Sequence, residues 1–207
     1  MKDFLKACKL YVNVLYTPVF RVISILVMSI GVFEAFFFSS PKSFDDYLKK
    51  IILISIFHFG ILIRNIYVDF LNPKIFYSFK FAKKYNTIVP LLTTASVSII
   101  YDVILFVVSA INLGLTFATD LMIVNAAVTI IACYFSIPSD LRNDYLGVLP
   151  SACVIVILNA TRREIHPDLM GYGFSLYTDI LITLGIYIAG CFVLIAVSEL
   201  WWKKRKI

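Results

Sequence analysis

Two acids stand where an acid is costly. Asp102, in SIIYDVILF, and Glu34, in GVFEAFFF, each interrupt a block of apolar residues. If those blocks lie in hydrocarbon, each carboxylate must be neutral, paired or turned toward water, because an isolated one there costs several kcal/mol. Both are therefore expected to face the protein interior or a cavity. They could line a substrate route, relay protons, or make an interhelical hydrogen bond, for instance with Asp102 capped by a hydroxyl on a neighbouring span. Glu34 lies toward the end of its block and can also reach the interface. His58, in IFHFGIL, has no second His, Cys or carboxylate at i+3 or i+4, as a helical metal site requires, and reads as a core histidine. His166, in REIHPD, is a loop histidine that can titrate in water.

Other chemistry is thinly represented. The four cysteines, Cys8, Cys133, Cys153 and Cys191, are far apart with no CxxC pair, and three lie in apolar blocks where Cys behaves as a small hydrophobe. Neither GxSxG nor HExxH occurs, so neither a nucleophile elbow nor a helical zinc-protease motif is available to an intramembrane enzyme. The triplet NAT at 159–161 matches a glycosylation acceptor but falls at the end of an apolar block.

The elements that must position these residues follow from the apolar runs. Of 207 residues 60% are hydrophobic and 15% charged, and the apolar ones come in blocks longer than a soluble core helix needs. Such blocks are transmembrane helices, about 20 residues each for a core about 30 Å thick. The fold class is an all-α polytopic membrane protein, a single domain over 1–207. Its net charge of +6 is the lysine and arginine excess of cytoplasmic loops rather than a nucleic-acid footprint.

Residues 1–16 read as an interfacial amphipathic helix, with Phe4, Leu5, Cys8, Tyr11, Val12 and Leu15 at helical spacing, and lack the h-region and cleavage site of a signal peptide. Thr17-Pro18 is a helix start, and spans are expected at about 18–38, 51–71, 88–113, 121–137 and 176–200. Arg64 can snorkel from the second. NLGLTFATD reads as the turn between spans three and four. A short block at 145–160, YLGVLPSACVIVILNA, is broken by Pro150, and 161–175 is polar and turn-rich. Counting the broken block gives six spans and places both termini on one side. With the termini cytoplasmic, the outer segments hold only Lys42, Lys49, Lys50, Arg162 and Arg163 of the 19 basic residues, which sets the orientation.

Between spans two and three lies LNPKIFYSFKFAKKYN. Asn72-Pro73 is a cap and first helical position; Ile75, Phe76, Phe79 and Ala82 form a stripe, with Lys74, Lys80, Lys83 and Lys84 mostly outside it. This predicts a short basic amphipathic helix over 72–85 on the cytoplasmic surface, acting as a lipid anchor or as a dock.

This layout resembles the ABC-2 type transporter permeases. The likeness runs through KDFLKACKLYVNVLYTP, NPKIFYSFKFAKKYNTIVP, the broken block with TRREIHPDLMGYGF, and LIAVSELWWKKRKI. It implies that 72–85 is a coupling helix, with Lys74, Ile75, Phe76, Phe79 and Lys80 against an ATPase subunit, and that 161–175 forms an outer re-entrant segment. Glu34 and Asp102 become candidate polar residues of the translocation path. No GxxxxGK[ST] occurs, so the chain is not itself expected to be an enzyme. ATP and Mg²⁺ would bind a separate ATPase, and a second permease chain, self or sister, would complete the pathway within the lipid bilayer of the cell membrane. A small ion-coupled carrier or solute-binding membrane subunit is the alternative. Carriers often show matched broken helices, and only the fifth span is visibly broken in the sequence.

Overall fold

The computed structural model describes residues 2–15, 18–37, 39, 42–71, 82–138 and 176–204. These residues form eight helices: α1 (Lys2–Leu15), α2 (Pro18–Phe37), α3 (Phe44–Ile54), α4 (Ile56–Leu71), α5 (Ala82–Asn86), α6 (Ile88–Asn112), α7 (Leu115–Phe135) and α8 (Leu176–Lys204). Four of them, α2, α6, α7 and α8, are long and apolar enough to cross a membrane. At 25 residues, α6 extends about 37 Å, more than a bilayer core demands. The chain is a helical membrane protein.

The second expected span is differently built. Rather than one helix over 51–71, it is α3 and α4, bent 52° at Ser55; taken together they make a fifth candidate crossing. Ser43 caps α3, its hydroxyl accepting from the Asp46 N–H at 3.2 Å, with Asp45 and Asp46 in the first turn where the helix dipole favours acids. Lys49 and Lys50 therefore lie on a helix and not in a loop. No Pro or Gly marks the break, so residue-type punctuation could not reveal it.

The expected long turn at 112–120 is also shorter. Leu113 N–H donates to Ser109 O at 2.7 Å, and Gly114, at φ 95°, reverses the chain in a backbone region that side chains disfavour. Helix α7 then starts at Leu115, and Asp120 lies buried inside it. At the opposite end, α5 joins α6 through Thr87 alone, whose N–H and hydroxyl both bond Lys83 O.

Helix α7 is the hub, packed on α4, α6 and α8, and about four-fifths of it is buried; α2 and α8 turn most of their surface outward. Ile51, Ile54, Phe57, Tyr101, Leu105, Leu121 and Val124 belong to the main core, whereas Val19, Phe37, Ile188 and Phe192 point away from it, as lipid-facing residues should. The described part of the 72–85 helix is α5. The fifth block, the 161–175 segment, and Lys74, Ile75, Phe76, Phe79 and Lys80 lie outside the described residues.

Candidate functional site at a helix break

The break at Ser55 is held from two neighbouring helices. Ser55 N–H bonds back to Ile51 O at 2.9 Å, and its hydroxyl donates to Asn125 Oδ1 on α7 at 2.6 Å. The Tyr101 hydroxyl on α6 donates to Ile54 O at 3.2 Å. A bent helix frees backbone groups that lipid cannot satisfy, so side chains from within the bundle must take them.

One turn beyond the break, His58 Nε2 lies 2.8 Å from Asp102 Oδ1. The other oxygen of Asp102, Oδ2, accepts the Tyr187 hydroxyl from α8. His58 is 0% exposed and Asp102 1%. The Tyr101 ring packs on both His58, at 5.3 Å between centroids, and Phe57, at 4.5 Å. Asp102 thus faces the protein interior, as expected of an acid at that depth, and a tyrosine hydroxyl does meet it. His58 is not alone on an apolar face: its partner comes from another helix, which spacing along its own helix cannot disclose.

The cluster is the middle of a longer polar line. Toward the α3 end, the Tyr47 hydroxyl donates to Asp120 Oδ2 at 2.7 Å, and Lys50 pairs with Asp46 at 3.1 Å and donates to Ser39 O. Toward the α4 end, Asn65 Nδ2 donates to Ala132 O at 2.8 Å, while Arg64 Nη2 donates to Asn65 Oδ1 at 2.8 Å. Arg64 is buried rather than snorkelling. Both ring nitrogens of His58, Asp102 Oδ1, the hydroxyls of Thr94, Ser98 and Thr129, and the Asn125 amide nitrogen are buried with no hydrogen-bond partner among the described residues, so the His58–Asp102 approach at 2.8 Å is a close pairing without hydrogen-bond geometry. Unpaired polar atoms are uncommon in native interiors, and these lie along α4, α6 and α7.

Glu34 stands apart, half-buried on α2, with Oε2 unpaired among the described residues. It lies one turn beyond Gly31, whose Cα faces the Tyr101 hydroxyl. The sequence allows Asp102 a hydroxyl from a neighbouring span without naming Tyr187, and it does not disclose His58 as a partner or the parts played by Ser55, Asn125 and Asp120. His58 and Asp102 lie at matching depth once the bent pair is known: His58 is the fifteenth of the 28 residues from Phe44 to Leu71, and Asp102 the fifteenth of the 25 in α6. Ionisable groups at matching depth in two spans are natural partners.

A second feature is a layer at the α4 end. Ala7 and Tyr11 of α1 pack on Tyr85 of α5 and Val89 of α6, with Tyr11 edge-on to Tyr85 at 5.7 Å. Burial pushes the Tyr85 phenol up to about 12 and raises the Cys8 thiol, so both stay neutral at physiological pH. Lys6 and Lys9 are exposed, and Lys83 pairs with Glu199 of α8 at 3.3 Å. Comparison with protein-family models, curated proteins and solved structures finds no match to this chain.

Proposed function

We propose that the chain is the permease subunit of an ATP-driven exporter of the ABC-2 type, forming half of a translocation path and driven by a separate ATPase. One observation carries the reading: α1 packs on α5 and the first turn of α6 through Ala7, Tyr11, Tyr85 and Val89. The N-terminal amphipathic helix and the end of the basic insert thereby form one layer, tied to α8 by Lys83 and Glu199. A layer of this kind, beneath the spans and bearing the exposed Lys6 and Lys9, suits a subunit that receives motion from a partner. The distribution of Lys and Arg supports a cytoplasmic position for this layer and both termini.

The six-span count takes the bent α3–α4 pair as span two and 145–160 as span five, with α1 lying in the interface. ATP and Mg²⁺ are then bound by the partner, and a second permease closes the path around Glu34 and Asp102. Replacing Phe76 and Phe79 with Ser should sharply reduce copurification of an ATPase lacking membrane spans, with membrane insertion intact. Undiminished ATPase recovery would reduce the insert to a lipid anchor.

The buried His58–Asp102 pair beside a helix break favours a second reading, a small ion-coupled carrier, because such carriers place coupling sites at discontinuous helices. Transport by the purified chain alone, abolished by collapsing a proton gradient, would select it.

A further inference from the structure

We propose that His58, Asp102 and Tyr187 form a proton-binding site at the centre of the bundle, taking up and releasing one proton. Unloaded, the Asp102 carboxylate accepts from the Tyr187 hydroxyl and lies 2.8 Å from Nε2 of a neutral His58, and the site bears one net negative charge. Loading adds a proton from water. The hydrogen between Nε2 and Oδ1 can then rest on either atom, Nδ1 carries a hydrogen in both cases, and the site is neutral.

The drive to load is the cost of a net charge in a desolvated core, where no basic side chain pairs with Asp102 among the described residues other than His58. The groups around the site can be taken helix by helix. On α4, Arg64 is six residues on, about 9 Å along the axis, with its guanidinium on Asn65. On α3, Lys50 is eight residues away and engaged with Asp46 and Ser39. Helix α2 brings Glu34, a further acid, and α6 brings Tyr101, whose hydroxyl is committed to Ile54 O. Helix α7 presents Asn125 and Thr129, which do not titrate, while its acid Asp120 is bonded to Tyr47. Helix α8 contributes Tyr187, a donor. A proton neutralises the site without moving a helix.

The drive to release is as concrete. Loading leaves an N–H at Nδ1, which has no partner among the described residues, and an unmet buried donor is itself unfavourable. Each state thus leaves one cost standing, a net charge or an unpaired donor, and a site balanced in this way exchanges rather than locks. Occupancy bears on the break as well, because Tyr101 both packs on His58 and bonds Ile54 O. The proposal rests on the cluster's own geometry and holds whether or not an ATPase docks.

The chain has two histidines, so a His166→Gln protein leaves His58 as the single imidazole. Nitrogen NMR of the ¹⁵N-histidine-labelled full chain in lipid nanodiscs reads directly whether Nδ1 carries a hydrogen. We expect Nδ1–H at the acid end of a pH series and its reversible loss at the alkaline end. The transition should vanish in Asp102→Asn. In Tyr187→Phe, which keeps the ring and removes one donor, it should persist with a displaced midpoint. A ring bare at Nδ1 over the whole range, or protonated there throughout, would overturn the proposal, and the first protein alone decides between these results even if a variant fails to fold.

Discussion

Gly31 offers the sharpest test of how the break is held. A methyl group added there would collide with the Tyr101 hydroxyl and come within 2.9 Å of Ile54 O, the two atoms that bond to one another. Gly31→Ala should therefore displace Tyr101 from the break. Overpacking costs about 1–3 kcal/mol. Losing an interhelical hydrogen bond in a membrane bundle costs about 0.6–1.7 kcal/mol. Alanine's better helix propensity offsets about 1 kcal/mol. The net expectation is a loss of roughly 0.6–3.7 kcal/mol. Tyr101→Phe alone should cost about 0.6–1.7 kcal/mol, because it removes the bond and leaves the ring on His58 and Phe57. In the double variant the bond can be lost only once and the worst collision is gone, although the approach to Ile54 O persists. The two substitutions should thus couple by at least about 1 kcal/mol, read from reversible unfolding in micelles by circular dichroism. Additivity within about 0.5 kcal/mol would refute this account of the break.

Asp102→Leu should destabilise the bundle by about 1–2 kcal/mol, since it strands both His58 and the Tyr187 hydroxyl, and Asp102→Asn by clearly less; the same unfolding measurement compares them. Gly190→Ala should cost about 1 kcal/mol, because its Cβ would meet Ile130 Cδ1 at 2.6 Å and Cγ1 at 2.8 Å, and Ile130→Val, which removes only the first of these atoms, should restore part of the loss. Ser55→Ala deprives buried Asn125 Oδ1 of its donor and should cost about 1 kcal/mol, with the change in amide hydrogen exchange concentrated at residues 51–59.

The sequence by itself determined that this is a helical membrane protein, and nearly where four of its spans lie. Span one was read at 18–38 and is Pro18–Phe37; span three was read at 88–113 and is Ile88–Asn112. Hydrocarbon imposes a one-dimensional demand, an unbroken apolar run of sufficient length, and such a demand is met or failed within the run itself. That Asp102 must turn inward was legible for the same reason, as an isolated carboxylate has no acceptable lipid-facing position. Tertiary structure alone decided what it meets. Partner choice depends on which helices neighbour each other and on how each is rotated, so His58 and Tyr187, 44 residues before Asp102 and 85 after it, leave no trace in local spacing. The break at Ser55 was hidden likewise, because it is held by Asn125 and Tyr101 from other helices and not by Pro or Gly at the site. Asp120 was assigned to a turn on its composition, yet Gly114 reverses the chain so tightly that α7 begins before it, and Tyr47 across the bundle receives it in the core.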